Sequence, residues 1–419
     1  MAEPMRIMHL TDLYPPVSGG LETQLAALCQ ELAARGHQVD VVTLARDGVK
    51  REDLESGVLV HRVTGWSRVL RPLYEDPRRP FHPTIPDPGM TATLARILKR
   101  RRPQVVHGHS WIVFSALPLL PSKETALVLG LHDFGFICAK KTLIRHGRVC
   151  DGPALGKCLA CAAGQYGVPR SAALTITLAA MRRWPRKSDR IVANGRAVAE
   201  ACSQLVRRDA HPVELVPPFL AQEVLAGLLG PRPRFVPAEG EYIMFAGGAS
   251  PHKGLPVLLE AWQRLSHPPP LVVAGLSREG TPYPIPPEVI VAGQVPHGDV
   301  LRAWAHCAIG VVPSVWPEPF GLVALEVMAA GRALVAARSG NLAELVTDGV
   351  TGLLVDPGDV GQLSGALAKL LSSPELRSAL GAAAKMKAQE YTADAVVPRM
   401  EGIYRGAIEG RAGLPGHRP

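Results

Sequence analysis

The chain is 419 residues long, too long for one ordinary hydrophobic core, so we expect two domains of about 200 residues each. Its composition, 47% hydrophobic and 20% charged residues, is typical of a globular protein, and no apolar run approaches the roughly 20 residues that span a bilayer. The formal charge of +9 favours anionic ligands, whereas the lack of interleaved aromatics and of any DNA- or RNA-binding motif argues against nucleic acid.

The first half of the chain alternates strands and helices from its start. A strand at residues 6–11 follows the N-terminus so closely that we expect no signal peptide and a cytoplasmic protein. The pair Gly19-Gly20 comes next, and a helix at 22–35 leads to a strand at 38–43. Further strands are expected at 59–63, 105–107, 126–131 and 190–193. The pattern predicts a doubly wound α/β domain over residues 1–222.

The alternation resumes after residues 216–239, a stretch rich in proline and glycine that we interpret as an irregular interdomain linker. A second α/β domain is predicted over residues 236–394. Its expected strands lie at 242–246, 271–274, 289–292, 309–313 and 333–336, and its expected helices at 255–265 and 322–330. Two Rossmann-like domains in tandem would face each other across a cleft at the carboxyl ends of their strands. Residues 395–419 are expected to form a helix (395–408) that crosses back to the first domain and a flexible tail (410–419).

The segment Pro-Glu-Pro-Phe-Gly-Leu-Val-Ala-Leu-Glu, residues 317–326, predicts an anion site. Its turn opens onto an apolar helix, and the first N–H groups of a helix lack intrahelical partners and lie at the positive end of its dipole. The amides of Phe320, Gly321 and Leu322 are therefore predicted to hold phosphate. Glu318 before the turn and Glu326 in the helix add acceptors for hydroxyl groups. A nucleotide sugar has phosphates in the middle and hydroxyls at both ends.

The second predicted domain begins with a strand that runs into a glycine-rich turn, Gly247-Gly248, and then into Lys253 just before a helix. Glycines let the backbone approach a ligand closely, and a lysine at this place meets a phosphate as a point charge. By itself this signal is weak, since Lys253 is equally well explained as a surface residue. Together with the 317–326 segment it favours a phosphate-containing ligand.

These motifs resemble those of glycosyltransferase family 4, whose members are retaining enzymes with the GT-B fold. The resemblance extends from about residue 6 to residue 408, and the spacing of the carboxylates Glu318 and Glu326 is its most specific part. The other matching residues are Gly19-Gly-Leu-Glu22, His132-Asp133, Lys253-Gly254, Pro313-Ser314, Gly331, Ser339-Gly-Asn-Leu-Ala-Glu344 and Asp348-Gly-Val-Thr-Gly-Leu-Leu-Val355.

The resemblance implies a donor site in the second domain. Glu326 would bond the ribose hydroxyls of a nucleotide-sugar donor, Glu318 would approach the donor sugar, and Lys253 would neutralise the leaving diphosphate. The amides of residues 320–322 would hold the sugar hydroxyls or the distal phosphate. Val295 belongs to a pocket contour, with Gln294 and residues 314–316, that would set donor specificity.

The resemblance also implies roles for the first domain, which would bind the acceptor. Gly19 and Gly20 would lie on a loop that reaches toward the diphosphate, and His132 would lie near the reacting carbon. A histidine at a strand end is also often only a satisfied polar residue. Catalysis in this fold requires no divalent metal, so no catalytic cofactor is expected.

One position departs from the family pattern. The family usually has an arginine where this chain has Gly248, and that arginine grips the diphosphate. Arg338 is a candidate replacement. The departure motivates one alternative, a non-catalytic nucleotide-sugar-binding module. A second alternative, a nucleotide-sugar epimerase or phosphorylase of related architecture, would use the same kind of donor domain.

The cysteines form a second group of interest. Four of the seven lie within 24 residues, at Cys138, Cys150, Cys158 and Cys161, in a glycine-containing loop predicted over residues 133–168. A C-x2-C pair with two further cysteines favours a structural zinc ion over disulfides in a cytoplasmic protein. Iron–sulfur ligation, replacement of one thiolate by His146 and ordinary unlinked cysteines are the alternatives. Cys29, Cys202 and Cys307 are expected in the core.

The identity of the acceptor is left open by the sequence. A small molecule, a saccharide and a lipid-linked saccharide all suit the predicted chemistry. Basic clusters in the first half are explained by a solvated surface, by a phosphorylated acceptor or by anionic lipid headgroups. A membrane surface is not favoured, because no long amphipathic stretch is present. These clusters are Lys99–Arg102, Arg182-Arg183, Arg186-Lys187 and Arg207-Arg208.

Overall fold

The computed structural model describes residues 3–17, 19–66, 81–122, 124–205 and 212–412. The basic pair Arg207-Arg208 and the part of the predicted tail from residue 413 onward lie outside these residues. The chain divides into two compact units, one comprising residues 1–146, 150–217 and 397–419, the other residues 147–149 and 218–396. Each is an α/β structure built on a parallel sheet.

The first unit is organised by a sheet that has eight strands among the described residues, in the order β10-β9-β6-β5-β1-β2-β4-β3. All neighbours pair in parallel except β3 and β4, which are antiparallel. The strands up to residue 215 are β1 Arg6–Thr11, β2 Gln38–Leu44, β3 Glu52–Glu55, β4 Val58–Val63, β5 Val105–Gly108, β6 Ala126–Leu131, β7 Ile144–Arg145, β8 Arg148–Val149, β9 Arg190–Ala193 and β10 Glu214–Leu215. The helices are α1 Gly20–Ala34, α2 Pro88–Arg101, α3 Val113–Ala116, α4 Leu155–Tyr166, α5 Val168–Met181 and α6 Arg196–Ala201.

The second unit contains a parallel sheet with six described strands in the order β13-β12-β11-β14-β15-β16. These strands are β11 Ile243–Ala246, β12 Leu271–Ala274, β13 Ile290–Gly293, β14 Ile309–Val312, β15 Ala333–Ala337 and β16 Leu353–Val355. The helices are α7 Gln222–Gly227, α8 Leu255–Gln263, α9 His297–His306, α10 Leu322–Ala329, α11 Leu342–Leu345, α12 Val360–Leu371 and α13 Pro374–Ala388, and α14 Ala393–Ala412 ends the described chain.

The sequence dictates these elements through burial and capping. A strand that is covered by helices on both faces consists of consecutive apolar residues. The strands β6, β12, β14 and β15 fit this rule, since they are buried along their whole length. Asp87 caps α2 by accepting a hydrogen bond from the Met90 amide, and Pro88 supplies the fixed φ suited to a first helical position. Asp359 caps α12 in the same way.

The strand predictions are confirmed to within a residue or two, but three other predictions are wrong. The stretch 216–239 is not irregular throughout, because it contains α7, which packs against α9. The segment 133–168 is not simply a loop, since it contains the β7–β8 hairpin and α4. The C-terminal helix continues to Ala412, beyond the predicted end at residue 408. Cys29, Cys202 and Cys307 are buried, as predicted.

Among the described residues, no helix combines the length and the apolar character that crossing a bilayer demands.

Candidate active site

The strand order of the second unit determines where its ligand site lies. The chain adds strands outward on one side from β11 to β13 and on the other side from β14 to β16. At such a reversal, the loops after the two central strands diverge and leave a crevice at their carboxyl ends. The loop after β11 carries Gly247, Gly248 and Lys253, and the loop after β14 carries Glu318.

Glu318 is the centre of a dense set of hydrogen bonds in this crevice. The Lys253 ammonium donates to both carboxylate oxygens, at 3.0 and 3.2 Å. Ser314 Oγ and Trp316 Nε1 donate to Oε2, at 2.9 and 2.6 Å. Only 11% of the Glu318 side chain is exposed, against 31% of Lys253. The carboxylate is therefore fixed in place, while the lysine head still reaches solvent.

Trp316 packs against the lysine and is almost completely buried. The Lys253 ammonium is 4.7 Å from the centroid of the Trp316 ring, a distance that allows a cation–π interaction. The indole is 8% exposed and forms a floor for the ion pair.

Two glycines allow the loops of this crevice to meet. Gly254 has φ +82°, and a Cβ there would lie 1.8 Å from the carbonyl oxygen of Pro313. Gly340 has φ +56°, and its Cβ would lie 2.4 Å from the backbone N and O of Glu318. The next amide, Asn341 N–H, donates to the Glu318 carbonyl at 2.8 Å. Any side chain at these positions would push the loops apart.

The predicted helix N-terminus is present beside Glu318. Gly321, with φ +102°, precedes α10, and the first intrahelical bond runs from Leu325 N–H to its carbonyl. The amides of Gly321 and Leu322 thus precede the helical hydrogen-bond ladder. Phe320 is buried, with its ring centroid 5.7 Å from that of Tyr391, and this contact anchors the turn.

Glu326 has partners that the sequence did not reveal. Its Oε1 bonds His297 Nε2 at 2.8 Å, and Trp304 Nε1 donates to Oε2 at 3.3 Å. The bond to Glu326 raises the pKa of His297 above its usual 6.5. His297 is the first residue of α9 and lies two residues after Val295. The predicted pocket around Val295 therefore pointed to this part of the chain, although not to His297 itself.

Two positions bear on the arginine that the family has and this chain lacks: Gly248, which replaces it, and Arg338, the predicted substitute. Gly248 is exposed, and a Cβ there would meet nothing within 4 Å. Arg338, the predicted replacement, follows β15 and donates from Nη2 to Asp348 Oδ2 at 2.9 Å. Position 248 therefore has room for a larger side chain, whereas Arg338 is already bonded to an acid.

In the first unit, the predicted residues also follow strands that flank a reversal of strand order. The strands β1 and β5 are adjacent, with β2 on one side and β6 on the other. Gly19 and Gly20 lie at the start of α1, which follows β1, and His132 follows β6 directly. These residues lie at the carboxyl edge of the sheet, the usual place for a ligand.

His132 belongs to a chain of buried histidines that sequence reasoning missed. His132 Nε2 bonds His109 Nδ1 at 2.8 Å, and His109 Nε2 bonds His9 Nδ1 at 2.8 Å. His107 Nδ1 bonds the Tyr404 hydroxyl at 2.7 Å. A Cβ on Gly130 would lie within 2.8 Å of both His132 Nε2 and His107 Nε2, so a glycine is required there.

Burial holds these imidazoles neutral. It lowers the pKa of His132 to about 4 and that of His9 to about 3, and it lowers the pKa of His107 and His109 well below 6.5. His9, His107 and His109 place possible metal-ligand atoms within 4.8 Å of one another. Both nitrogens of His109 are, however, engaged by His9 and His132, so we interpret the group as a hydrogen-bonded chain.

The four clustered cysteines all belong to the first unit. Cys158 and Cys161 are on α4, Cys150 follows β8, and Cys138 lies between β6 and β7. All four line one cavity.

Comparison with known proteins identifies the family. The signature described as Glycosyltransferase Family 4 matches residues 18–223, and that described as Glycosyl transferases group 1 matches residues 232–387. A D-inositol 3-phosphate glycosyltransferase from Acidothermus cellulolyticus is 28% identical, over 94% of this chain and 87% of the relative. A glycogen synthase from Mycobacterium tuberculosis is 26% identical, over 91% and 90%. The solved sucrose-phosphate synthase from Thermosynechococcus elongatus superposes with a TM-score of 0.73 at 18% identity, over 96% of this chain and 99% of that one.

The chain therefore belongs to glycosyltransferase family 4 and is a retaining glycosyltransferase with the GT-B fold. This agrees with the prediction from the carboxylate motif and the paired α/β pattern.

Proposed function

We propose that this glycosyltransferase moves a sugar from a nucleotide-diphosphate sugar to a small hydroxylated acceptor that carries a phosphate group. The observation that carries the donor assignment is the Lys253–Glu318 pair beside the first amides of α10. A cation, a carboxylate and helix amides meet there at a strand-order reversal, and this combination suits a diphosphate linked to a sugar.

The donor would rearrange the charges of the crevice. An incoming diphosphate competes with Glu318 for the Lys253 ammonium, which is the more exposed partner of the pair. The Glu318 carboxylate then accepts hydrogen bonds from sugar hydroxyls, and the amides of residues 320–322 bind the hydroxyls or the distal phosphate. Glu326 accepts from the ribose hydroxyls, with His297 holding its carboxylate in position. Val295 borders the pocket for the nucleotide.

The transfer step needs a stabilised leaving group more than a protein nucleophile. The bond between the anomeric carbon and the diphosphate oxygen breaks, and the acceptor oxygen bonds to the same face of that carbon. The acceptor proton passes to the departing phosphate oxygen. Lys253 and the amides stabilise the charge that develops there, a role that fixed donors perform without a metal ion.

The first unit would supply the acceptor side. Gly19 and Gly20 place backbone amides at the start of α1, and His132 provides a neutral imidazole at the carboxyl edge of the sheet. A neutral ring contacts substrate hydroxyls as a donor or an acceptor without adding charge. We therefore assign His132 to positioning of the sugar or the acceptor near the reacting carbon.

The acceptor class is supported by charge and by relatives. The formal charge of +9 favours an anionic acceptor. One relative is a D-inositol 3-phosphate glycosyltransferase, and a structural neighbour is a sucrose-phosphate synthase. A saccharide without phosphate and a lipid-linked saccharide are the competing acceptors.

The donor assignment is tested first by ligand binding and then by a single carboxylate. Thermal-shift screening against UDP-, GDP-, ADP- and dTDP-sugars identifies the base, and the stabilising donor is then assayed with phosphorylated and unphosphorylated acceptors. Glu318→Gln removes the charge and keeps the shape, and kcat/KM is expected to fall about 10²- to 10³-fold. The matched control is Glu375→Gln, an exposed position on α13, which should leave kcat/KM unchanged.

Four results would contradict parts of this proposal. Undiminished turnover in Glu318→Gln would remove its central residue. Products formed without an acceptor would favour the epimerase or phosphorylase alternative. Equal use of the phosphorylated and unphosphorylated acceptors would retain the transferase and reject the acceptor class. Activity abolished by EDTA and restored by a divalent cation would overturn metal-independent catalysis.

A further inference from the structure

The four cysteines between residues 138 and 161 have no part in the proposed transfer, yet they share one small space. Cys138, Cys150, Cys158 and Cys161 line a cavity of about 30 Å³. A cavity of this size has room for one or two water molecules, or for one ion. All four thiols are free and partly buried.

The four residues reach this cavity from separate pieces of structure. Cys158 and Cys161 are three residues apart on α4 and so lie on the same helix face. Cys150 directly follows the β7–β8 hairpin, where its amide donates to the Leu143 carbonyl at 2.8 Å. Cys138 lies in a turn closed by the bond from Lys141 N–H to its carbonyl. A turn, a hairpin end and a helix face thus border the same cavity.

Two lysines lie beside the thiols. Lys140 Nζ is 3.8 Å from Cys161 Sγ, and Lys157 contacts Cys150. Both lysines line the cavity. A divalent ion held by four thiolates carries a net charge of −2, and two ammonium groups offset that charge.

From residue 144 to residue 161 the chain has no buried residue, so this stretch has little apolar burial by which to order itself. Val149 and Leu155, which flank the cavity residues, are 58% and 51% exposed. Three residues of the same segment, Lys141, Leu143 and His146, hold positive φ values. A covalent or metal link would offset the cost of ordering such a segment.

We propose that Cys138, Cys150, Cys158 and Cys161 form a tetrahedral thiolate site for a single structural zinc ion. Binding replaces four S–H bonds with four S–Zn bonds and releases four protons, with no change in oxidation state. The Sγ atoms of Cys150 and Cys161 face the carbonyls of Gly152 and Ile144, so they turn about their Cα–Cβ bonds to reach the ion. His146 is not among the described residues that line the cavity.

The site is tested on the full chain by its metal content. Protein purified without added metal should contain about one zinc ion per chain, as measured by inductively coupled plasma mass spectrometry. Substitution with Co²⁺ should give the visible absorption of tetrahedral cobalt and a thiolate-to-cobalt charge-transfer band. Cys158→Ser and Cys161→Ser should each lower zinc content several-fold, while Cys307→Ala, a cysteine in the second unit, should retain full occupancy.

The alternatives give distinct results. If the purified protein contains iron and acid-labile sulfide, the site holds an iron–sulfur cluster and the zinc proposal is wrong. A Cys158–Cys161 disulfide found by mass spectrometry would overturn metal binding. Free thiols with no zinc, both as purified and after addition of Zn²⁺, would also overturn it. If the serine variants do not fold, release of zinc from the wild-type chain by a thiol-modifying reagent provides the same test. None of these measurements depends on transferase activity, so the zinc site and the proposed function can fail separately.

Discussion

At the scale of single residues, the crevice proposed to bind the donor contains one ion pair and lacks one side chain. Lys253 and Glu318 bond each other at 3.0 Å, and Gly248 stands where the family usually has an arginine. Position 248 is open and exposed, so the structure has space there for a larger side chain. Lys253 is then the cation nearest to Glu318 for a diphosphate to meet.

Replacing Gly248 with arginine should restore the missing charge. We expect Gly248→Arg to bind the nucleoside diphosphate of the donor about 10- to 150-fold more tightly, since a charged hydrogen bond contributes roughly 1.5–3 kcal/mol. Isothermal titration at low and high salt measures the gain, which should shrink as salt screens the charge. Gly248→Gln is the control for size without charge. Equal affinities of the two variants would mean that the diphosphate lies elsewhere.

At the scale of elements, the ends of β1, β5 and β6 bring a set of neutral histidines together. His9 and His107 are paired across β1 and β5, so both side chains point to the same face of the sheet. His109 lies two residues beyond His107 and therefore shares that face. Within the described chain, His9 Nε2 and His107 Nε2 have no hydrogen-bond partner. Protonating this cluster would place charges in a dry environment.

Acid should therefore destabilise the first unit. Folding lowers the pKa of His132 to about 4 and of His9 to about 3, so the unfolded chain binds protons more readily below about pH 6.5. The free energy of unfolding is expected to be fully present above pH 6.5 and to fall by up to about 1.4 kcal/mol per pH unit for each such histidine as the pH drops toward 4. Denaturant titrations across this range measure the slope. His9→Gln should reduce the slope, and His267→Gln, at an exposed position, should not; a slope unaltered by His9→Gln would contradict this account.

At the scale of the whole molecule, the chain ends by returning to its first unit. Residues from Val397 onward belong to that unit, although α14 begins at Ala393 in the second. Tyr404 of α14 is fully buried, and its hydroxyl bonds His107 Nδ1 at 2.7 Å. The last helix is thus part of the core that covers the histidines.

Changes at Tyr404 should unfold the first unit selectively. Tyr404→Ala creates a cavity and should cost about 3–5 kcal/mol, whereas Tyr404→Phe leaves His107 Nδ1 without its partner and should cost about 1–3 kcal/mol. Hydrogen exchange of the β1 and β5 amides reports these losses, because local unfolding free energies are read from exchange. Glu409→Ala, at an exposed position of the same helix, serves as the control. Equal protection in Tyr404→Ala and wild type would show that α14 is dispensable for this core.

The sequence by itself determined the alternating elements and the family, and it indicated Lys253, Glu318, Glu326 and His132 as candidate site residues. It did so because element type follows from the local period of apolar residues, and because the carboxylate motif is contiguous. The tertiary structure decided which of these side chains meet. Lys253 and Glu318 are 65 residues apart, His9 and His109 are 100 apart, and His107 and Tyr404 are 297 apart. Such contacts depend on strand order, register and burial, which no local pattern contains.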